Sequence, residues 1–212
     1  MCRVDRARLQ EEIRRLNRRM VAASDPQPAA AAGGPVACLS GHMIDRPGRK
    51  VPRFPPSSEG SVSRLLDRLL EDAAPEAGCS SAASGADLLF LEALARRGCE
   101  SHVVLPFSRE LFLRTSVEGV EGPPWAARFE EALGRAASIE VINPWVTEPA
   151  AEDFDTANLA IVRWSLARAI QSRGSVMPIA VWDGHPGDGA GGTAEFVALW
   201  IELGHRVRIV TP

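Results

Sequence analysis

The sequence predicts an α/β domain with a doubly wound, mainly parallel sheet of five or six strands, helices on both faces, and a separate N-terminal helix. Three observations lead there. Short apolar runs that end in turn residues read as buried strands, and they alternate with segments of helical periodicity, as βαβ units do. A chain of 212 residues suffices for one well-buried domain and would be cramped as two. The unusual small and polar residues fall just after the strands, at their carboxyl ends.

Residues 3–21 read as a helix, with Leu9, Ile13, Leu16 and Met20 on one face and seven arginines among the others. An amphipathic helix packed on the domain or on a partner explains this pattern, and a basic membrane-surface helix is the sharper alternative. Small residues, Pro and Gly dominate residues 22–34, a linker by composition. Two segments follow, a helix and linker over 1–34 and a globular domain over 35–212.

The domain opens with a strand over 35–42. Val62, Leu65, Leu66, Leu69 and Leu70 then mark an amphipathic helix over 59–72. A short strand candidate at 77–83 leads into a helix to about Arg97, where Ser84 and Asp87 resemble a capping box. The strand at 102–106 precedes a short helix at 107–115, and Trp125, Phe129 and Leu133 mark a helix over 124–137. A strand at 139–142, a helix across 155–173, a strand at 176–182, a helix at 193–203 and a strand at 206–210 complete the alternation. This order is Rossmann-like.

Composition narrows the functions. Hydrophobic residues make up 45% and charged residues 24%, ordinary for a soluble globular chain. A net charge of −3 argues against direct nucleic-acid binding, which needs a basic face. Cys2, Cys38, Cys79 and Cys99 form no C-x-x-C pair, have no His at zinc spacing, and read as reduced thiols. There is no apolar run of about 20 residues to span a bilayer and no signal-peptide core. The expectation is a cytoplasmic protein without membrane, metal or cofactor.

In open α/β sheets the ligand crevice lies outside the carboxyl ends of the strands, where strand order reverses. The strand ends supply Ser40, Gly41 and His42, then Ser81, Gly85 and Asp87, then Phe107 and Arg109, and finally Asp183 and Gly184 before Gly191, Gly192 and Thr193. Gly191-Gly192-Thr193 opens a helix, where free N–H groups and the helix dipole favour an anion; an ordinary glycine-rich connection fits equally. The 43–56 loop carries Arg46, Arg49, Lys50 and Arg53 against Asp45, and Arg109 and Arg114 follow the third strand. Arginine suits bidentate phosphate contacts, and a solvated Pro-rich loop is the plain alternative. His42 fits a hydrogen-bonding or loop-capping role better than acid–base work. Asp87 and Glu195 sit in first helical turns, where capping accounts for both. Trp145 and Trp182 lie near this edge, either in the core or stacked on a base. Nucleophile-elbow, Walker A and metal-cluster patterns are missing from the sequence.

Taken in order, LSGHMIDRPGR, SSAASGADLLFLEAL, VVLPFSRELFLRTSV and AVWDGHPGDGAGGTAEFVALW resemble the SLOG/LOG-like superfamily of Rossmannoid domains, related to the LOG phosphoribohydrolases and to the DNA-processing protein DprA. The resemblance covers roughly 35–212. It implies either of two activities. LOG enzymes cleave the N-glycosidic bond of nucleoside 5′-monophosphates with a P-G-G-x-G-T-x-x-E motif; other SLOG domains sense nucleotide-derived signals, several in bacterial signalling or antiviral defence. Aligned on Thr193, the leading Pro becomes Asp188, the second Gly becomes Ala190 and the catalytic Glu becomes Phe196. Glu195 stands one residue early, which turns it about 100° around the helix. The expectation is a sensor that binds a nucleotide-type small molecule and is not an enzyme, with Glu195 or Asp183 as acid/base if it is one. A protein-interaction module with a vestigial pocket is the third possibility. The N-terminal helix is the expected contact for a homo-oligomer or a partner signalling protein.

Overall fold

The computed structural model describes residues 4–23, 33–186 and 192–212. Among the described residues, fifteen segments of regular structure include the strands β1 (Val36–Gly41), β2 (Ala77–Ser80), β3 (Glu100–Leu105), β4 (Ser138–Val141), β5 (Val176–Val181) and β6 (Arg208–Val210). The helices are α1 (Arg6–Ala23), α2 (Glu59–Ala73), α3 (Ala86–Arg96), α4 (Arg109–Phe112), α5 (Trp125–Arg135), α6 (Ala151–Ser172) and α7 (Thr193–Glu202). A 3₁₀ turn at Pro56–Ser58 and a π turn at Leu113–Val117 complete the set.

The six strands form one sheet in the order β4-β3-β2-β1-β5-β6, and every described pairing is parallel. The chain steps outward from β1 to β4, crosses back, and steps the other way through β5 and β6. Because strand crossovers share one hand, reversing direction moves the helices to the opposite face. Accordingly α2, α3, α4 and α5 feed one core with Ala37 and Leu39 of β1, while α1, α6 and α7 feed the other with Val36 and Cys38. The doubly wound, Rossmann-like architecture is therefore as the sequence predicts. The order reverses between β1 and β5, so the crevice lies at their carboxyl ends.

Three local expectations need correction. The helix expected over 107–115 is a four-residue α4 that widens into the π turn, where the Thr115 hydroxyl bonds the Leu111 carbonyl at 2.9 Å. The helix expected from 155 starts at 151, because Asp153 accepts the Ala150 N–H at 2.9 Å and caps a first turn that carries no apolar stripe. Ser84 does not cap α3: Gly85 is the N-cap, and the Ser84 hydroxyl donates to the Ser116 carbonyl.

Helix α1 lies on α6, with Leu9, Ile13, Leu16 and Met20 buried as one stripe. Its start is tied by the Val4 N–H to Asn143 and by Arg6 to Asp155, and its far end by Asn17 to the Leu203 carbonyl and His205. The apolar stripe is thus used within the chain, leaving the charged faces outward. Among the described residues, no helix is long and apolar enough to cross a membrane. Cys38, Cys79 and Cys99 are free thiols, and burial pushes the Cys38 thiol up to about 12. Cys2, Asp188, Ala190, Gly191 and most of the 22–34 linker lie outside the described residues.

Candidate functional site

Glycines at two positions let the site's walls close up. A Cβ on Gly41 would stand 2.4 Å from the Ala86 Cβ and 2.9 Å from the Val181 Cβ, so only glycine lets α3 and β5 meet the end of β1. Gly85 has a φ of +102°, and a Cβ there would sit 2.7 Å from the Ile44 amide nitrogen. That close approach allows Ile44 N–H to bond the Ser84 carbonyl and Ala86 N–H to bond the His42 carbonyl, stitching the segment after β1 to the start of α3.

Behind this seam lies a cavity of about 140 Å³ at the switch point. Six of the residues predicted from sequence line it: Ser40, Gly41, Ser81, Asp87, Gly192 and Thr193. Leu39, Met43, Ala83, Phe112, Ser116, Phe154, Ala157, Asn158 and Ile161 complete the wall. Asp87 is buried in the first turn of α3, where its Oδ2 accepts the Ala83 N–H at 3.2 Å and its carboxyl meets the Ser80 hydroxyl. Burial raises this acid to about 7, against the pull of those two hydrogen bonds.

His42 and Asp183 meet at the carboxyl-end rim of the sheet, just after β1 and β5, and neither lines the cavity. His42 Nε2 is 3.0 Å from Asp183 Oδ1, and the Asp183 N–H points at the same nitrogen from 3.3 Å. One nitrogen cannot donate and accept at once; the shorter contact assigns the proton to Nε2. Arg53 Nε donates to Asp183 Oδ2 at 3.0 Å, and its Nη2 binds the carbonyls of His185 and Pro186. Burial lowers the His42 pKa, with Asp183 pulling the other way. Burial works to raise Asp183, but the His185 N–H, His42 and Arg53 together hold it well below the usual carboxylate range. Gly184 makes the turn after Asp183 with a φ of +85°.

The remaining predicted residues stand elsewhere. Arg46 donates to the Thr115 carbonyl at 2.8 Å, Arg49 pairs with Asp45 at 3.4 Å, and Arg109 pairs with Glu130. Phe107 is fully buried against Phe112 and Phe154, one shell behind the cavity. Glu195 accepts the Gly192 N–H at 3.1 Å and so caps α7, while Phe196 is buried against Trp200. Trp145 is partly exposed, and Trp182 donates to the His185 carbonyl at 2.7 Å.

Sequence reasoning missed Asn158, Ser116, Phe112 and Phe154, and did not single out Arg53 within its loop. Asn158 sits on the buried side of α6 and donates to the Gly192 carbonyl at 3.3 Å; an amide inside an apolar helical face was the available signal. For Arg53 the signal was Phe54, a fully buried aromatic in a polar loop, which pins its neighbour at the rim. Asp45 reinforces this by accepting the N–H groups of both residues.

No family model matches the sequence, and no curated protein matches it. Among solved structures the chain is similar to DNA processing protein A (DprA) from Streptococcus pneumoniae, at 16% identity over 84% of this chain and 59% of that chain, with a TM-score of 0.38. It is also similar to the Moco Carrier Protein from Chlamydomonas reinhardtii, at 12% identity over 84% of this chain and 90% of that chain, with a TM-score of 0.30. The chain spans less than two thirds of the DprA chain.

Proposed function

We propose that this is a SLOG-type binding domain that senses a nucleotide or nucleotide-derived signal at the carboxyl edge of its sheet. The observation that carries the reading is the cavity itself: it lies at the β1/β5 switch point, and hydroxyls, a buried carboxyl and the start of α7 converge on it. Binding without hydrolysis is the preferred form. Glu195 is engaged in capping α7, and the position of the LOG-type catalytic glutamate is a buried phenylalanine.

A thermal-shift screen with mononucleotides, cyclic mono- and oligonucleotides, NAD, NADP and ADP-ribose tests this, with each mixture read by chromatography for turnover. A ligand at a hundred times its Kd stabilises by about 2.7 kcal/mol, a shift of several degrees. A shift with the ligand intact is the expected result. A shift with release of base makes the domain a hydrolase, and no shift across the panel removes the nucleotide reading.

A further inference from the structure

The cavity wall contains one acid, Asp87, and no basic side chain among the described residues. Four of the arginines that the sequence brings to this edge are engaged elsewhere, Arg53 with Asp183, Arg46 with a carbonyl, Arg49 with Asp45 and Arg109 with Glu130. Asp87 meets only neutral groups among the described residues, the Ala83 amide and the Ser80 hydroxyl. The Ser80 hydroxyl has a single hydrogen, and it is also directed at the Leu39 carbonyl from 3.0 Å. The ionised carboxylate is therefore short of donors.

An anion inserted to this depth would lie against a second acid with no cation to offset either charge, and the Gly192 N–H that opens α7 is already bonded to Glu195, so the arrangement is costly in a buried site. A group carrying hydrogen-bond donors would instead give Asp87 what the protein does not. Size points the same way. At about 140 Å³ the cavity is well below the roughly 300–1,000 Å³ of whole-ligand pockets, so it takes a part of a ligand and not all of it. Phe112 and Phe154 give that part an apolar wall to lie against.

Resting on the binding reading above, we infer that the uncharged end of the ligand enters the cavity and offers paired O–H or N–H donors to Asp87, while any phosphate stays outside. A ribose diol and the N–H edge of a base share this chemistry. The inference also fixes the sign of a pH effect. Donors bind the ionised carboxylate, and Asp87 titrates at about 7, so affinity rises with pH up to that point and then levels off. An anion would instead favour the neutral acid and bind more weakly as pH rises. No charged side chain from β1, β2, the π turn, α6 or α7 lines the cavity with Asp87. The titratable pair at the rim, His42 and Asp183, is closed on itself and on Arg53.

Calorimetric titration of the full chain with four probe sets tests this: nucleosides, their 5′-monophosphates, 2′,3′-dideoxynucleosides, and ribose 5-phosphate with inorganic phosphate. The expected result is a nucleoside that binds within about tenfold of its monophosphate, with affinity rising by up to about tenfold per pH unit from 5 to 7. Loss of binding in the dideoxy form assigns the donors to the diol, and retention assigns them to the base. Asp87→Asn should abolish the pH slope while the melting transition is kept. Binding of ribose 5-phosphate or inorganic phosphate without binding of nucleosides overturns the inference and leaves the nucleotide reading standing, as does affinity that is flat or falls with pH. Failure of nucleosides and monophosphates alike overturns the inference, and failure of the whole screening panel as well overturns both.

Discussion

The sheet has a hollow at each end, and the two differ in kind. The hollow at the amino end is the larger, about 640 Å³, between α3, α5 and the start of β3. Its charged groups are already matched: Arg128 with Glu59 and Glu92, Arg96 with Asp67, Arg135 with Glu131. Arg128 also lies 4.0 Å over the Trp125 ring. The hollow at the carboxyl end is the smaller, about 140 Å³, and contains a buried acid poorly supplied with donors. The two hollows therefore differ in what lines them as well as in volume: matched ion pairs at the amino end, a single buried acid among neutral groups at the carboxyl end.

The largest effect expected separates a glycine at each end. Gly85→Ala combines a positive φ with a backbone clash and should cost about 3 kcal/mol, a fall of roughly 10 °C in Tm. Gly98→Ala, at the amino end, has a φ of +66° but open space around its Cβ, and should cost about 1 kcal/mol. Equal losses would show that the carboxyl-end seam is no tighter than an ordinary turn.

Asp87→Asn should stabilise the protein by about 2 kcal/mol at pH 8. Between the unfolded value near 4 and the folded value of about 7, the native state holds a proton that the unfolded state has released. Wild-type stability therefore loses this contribution as pH rises through that window. The gain from the substitution should grow from pH 4 to 7 and be constant above, as read by denaturant titration. A gain independent of pH would mean that Asp87 is ionised throughout.

Arg53→Ala and Arg128→Ala should each cost about 1–2 kcal/mol, since both remove a partly buried guanidinium from its carboxylates. Only Arg53→Ala should weaken ligand binding, because it releases Asp183 at the rim. Equal loss of binding in the two would erase the distinction between the ends. Smallest of all, Arg135→Ala at the exposed Glu131 pair should change stability by less than about 0.5 kcal/mol.

The alternation of elements was legible because each strand and helix announces itself within its own few residues. The burial of Leu9, Ile13, Leu16 and Met20 was legible too, although their partner helix was not. The backbone part of the cavity lining followed from its position after β1, β2 and β5. What stayed hidden depends on strand order, which no local pattern encodes. Only after β5 is placed beside β1 does α6 become the wall carrying Phe154 and Asn158. The basic loop was less legible for a different reason. Its four cations look alike in sequence, and the choice of Arg53 is made by Phe54 burying next to it.

Helix α1 has a mechanical consequence. Its 18 residues, roughly 27 Å of helix, are fastened to α6 at one end beside Asp155 and along the whole apolar stripe. Phe154, Ala157, Asn158 and Ile161 on α6 face the cavity. The cavity's wall is thus a two-ply laminate, with α1 as the outer ply. The outer ply backs the wall along its length, while no residue of that helix lines the cavity itself.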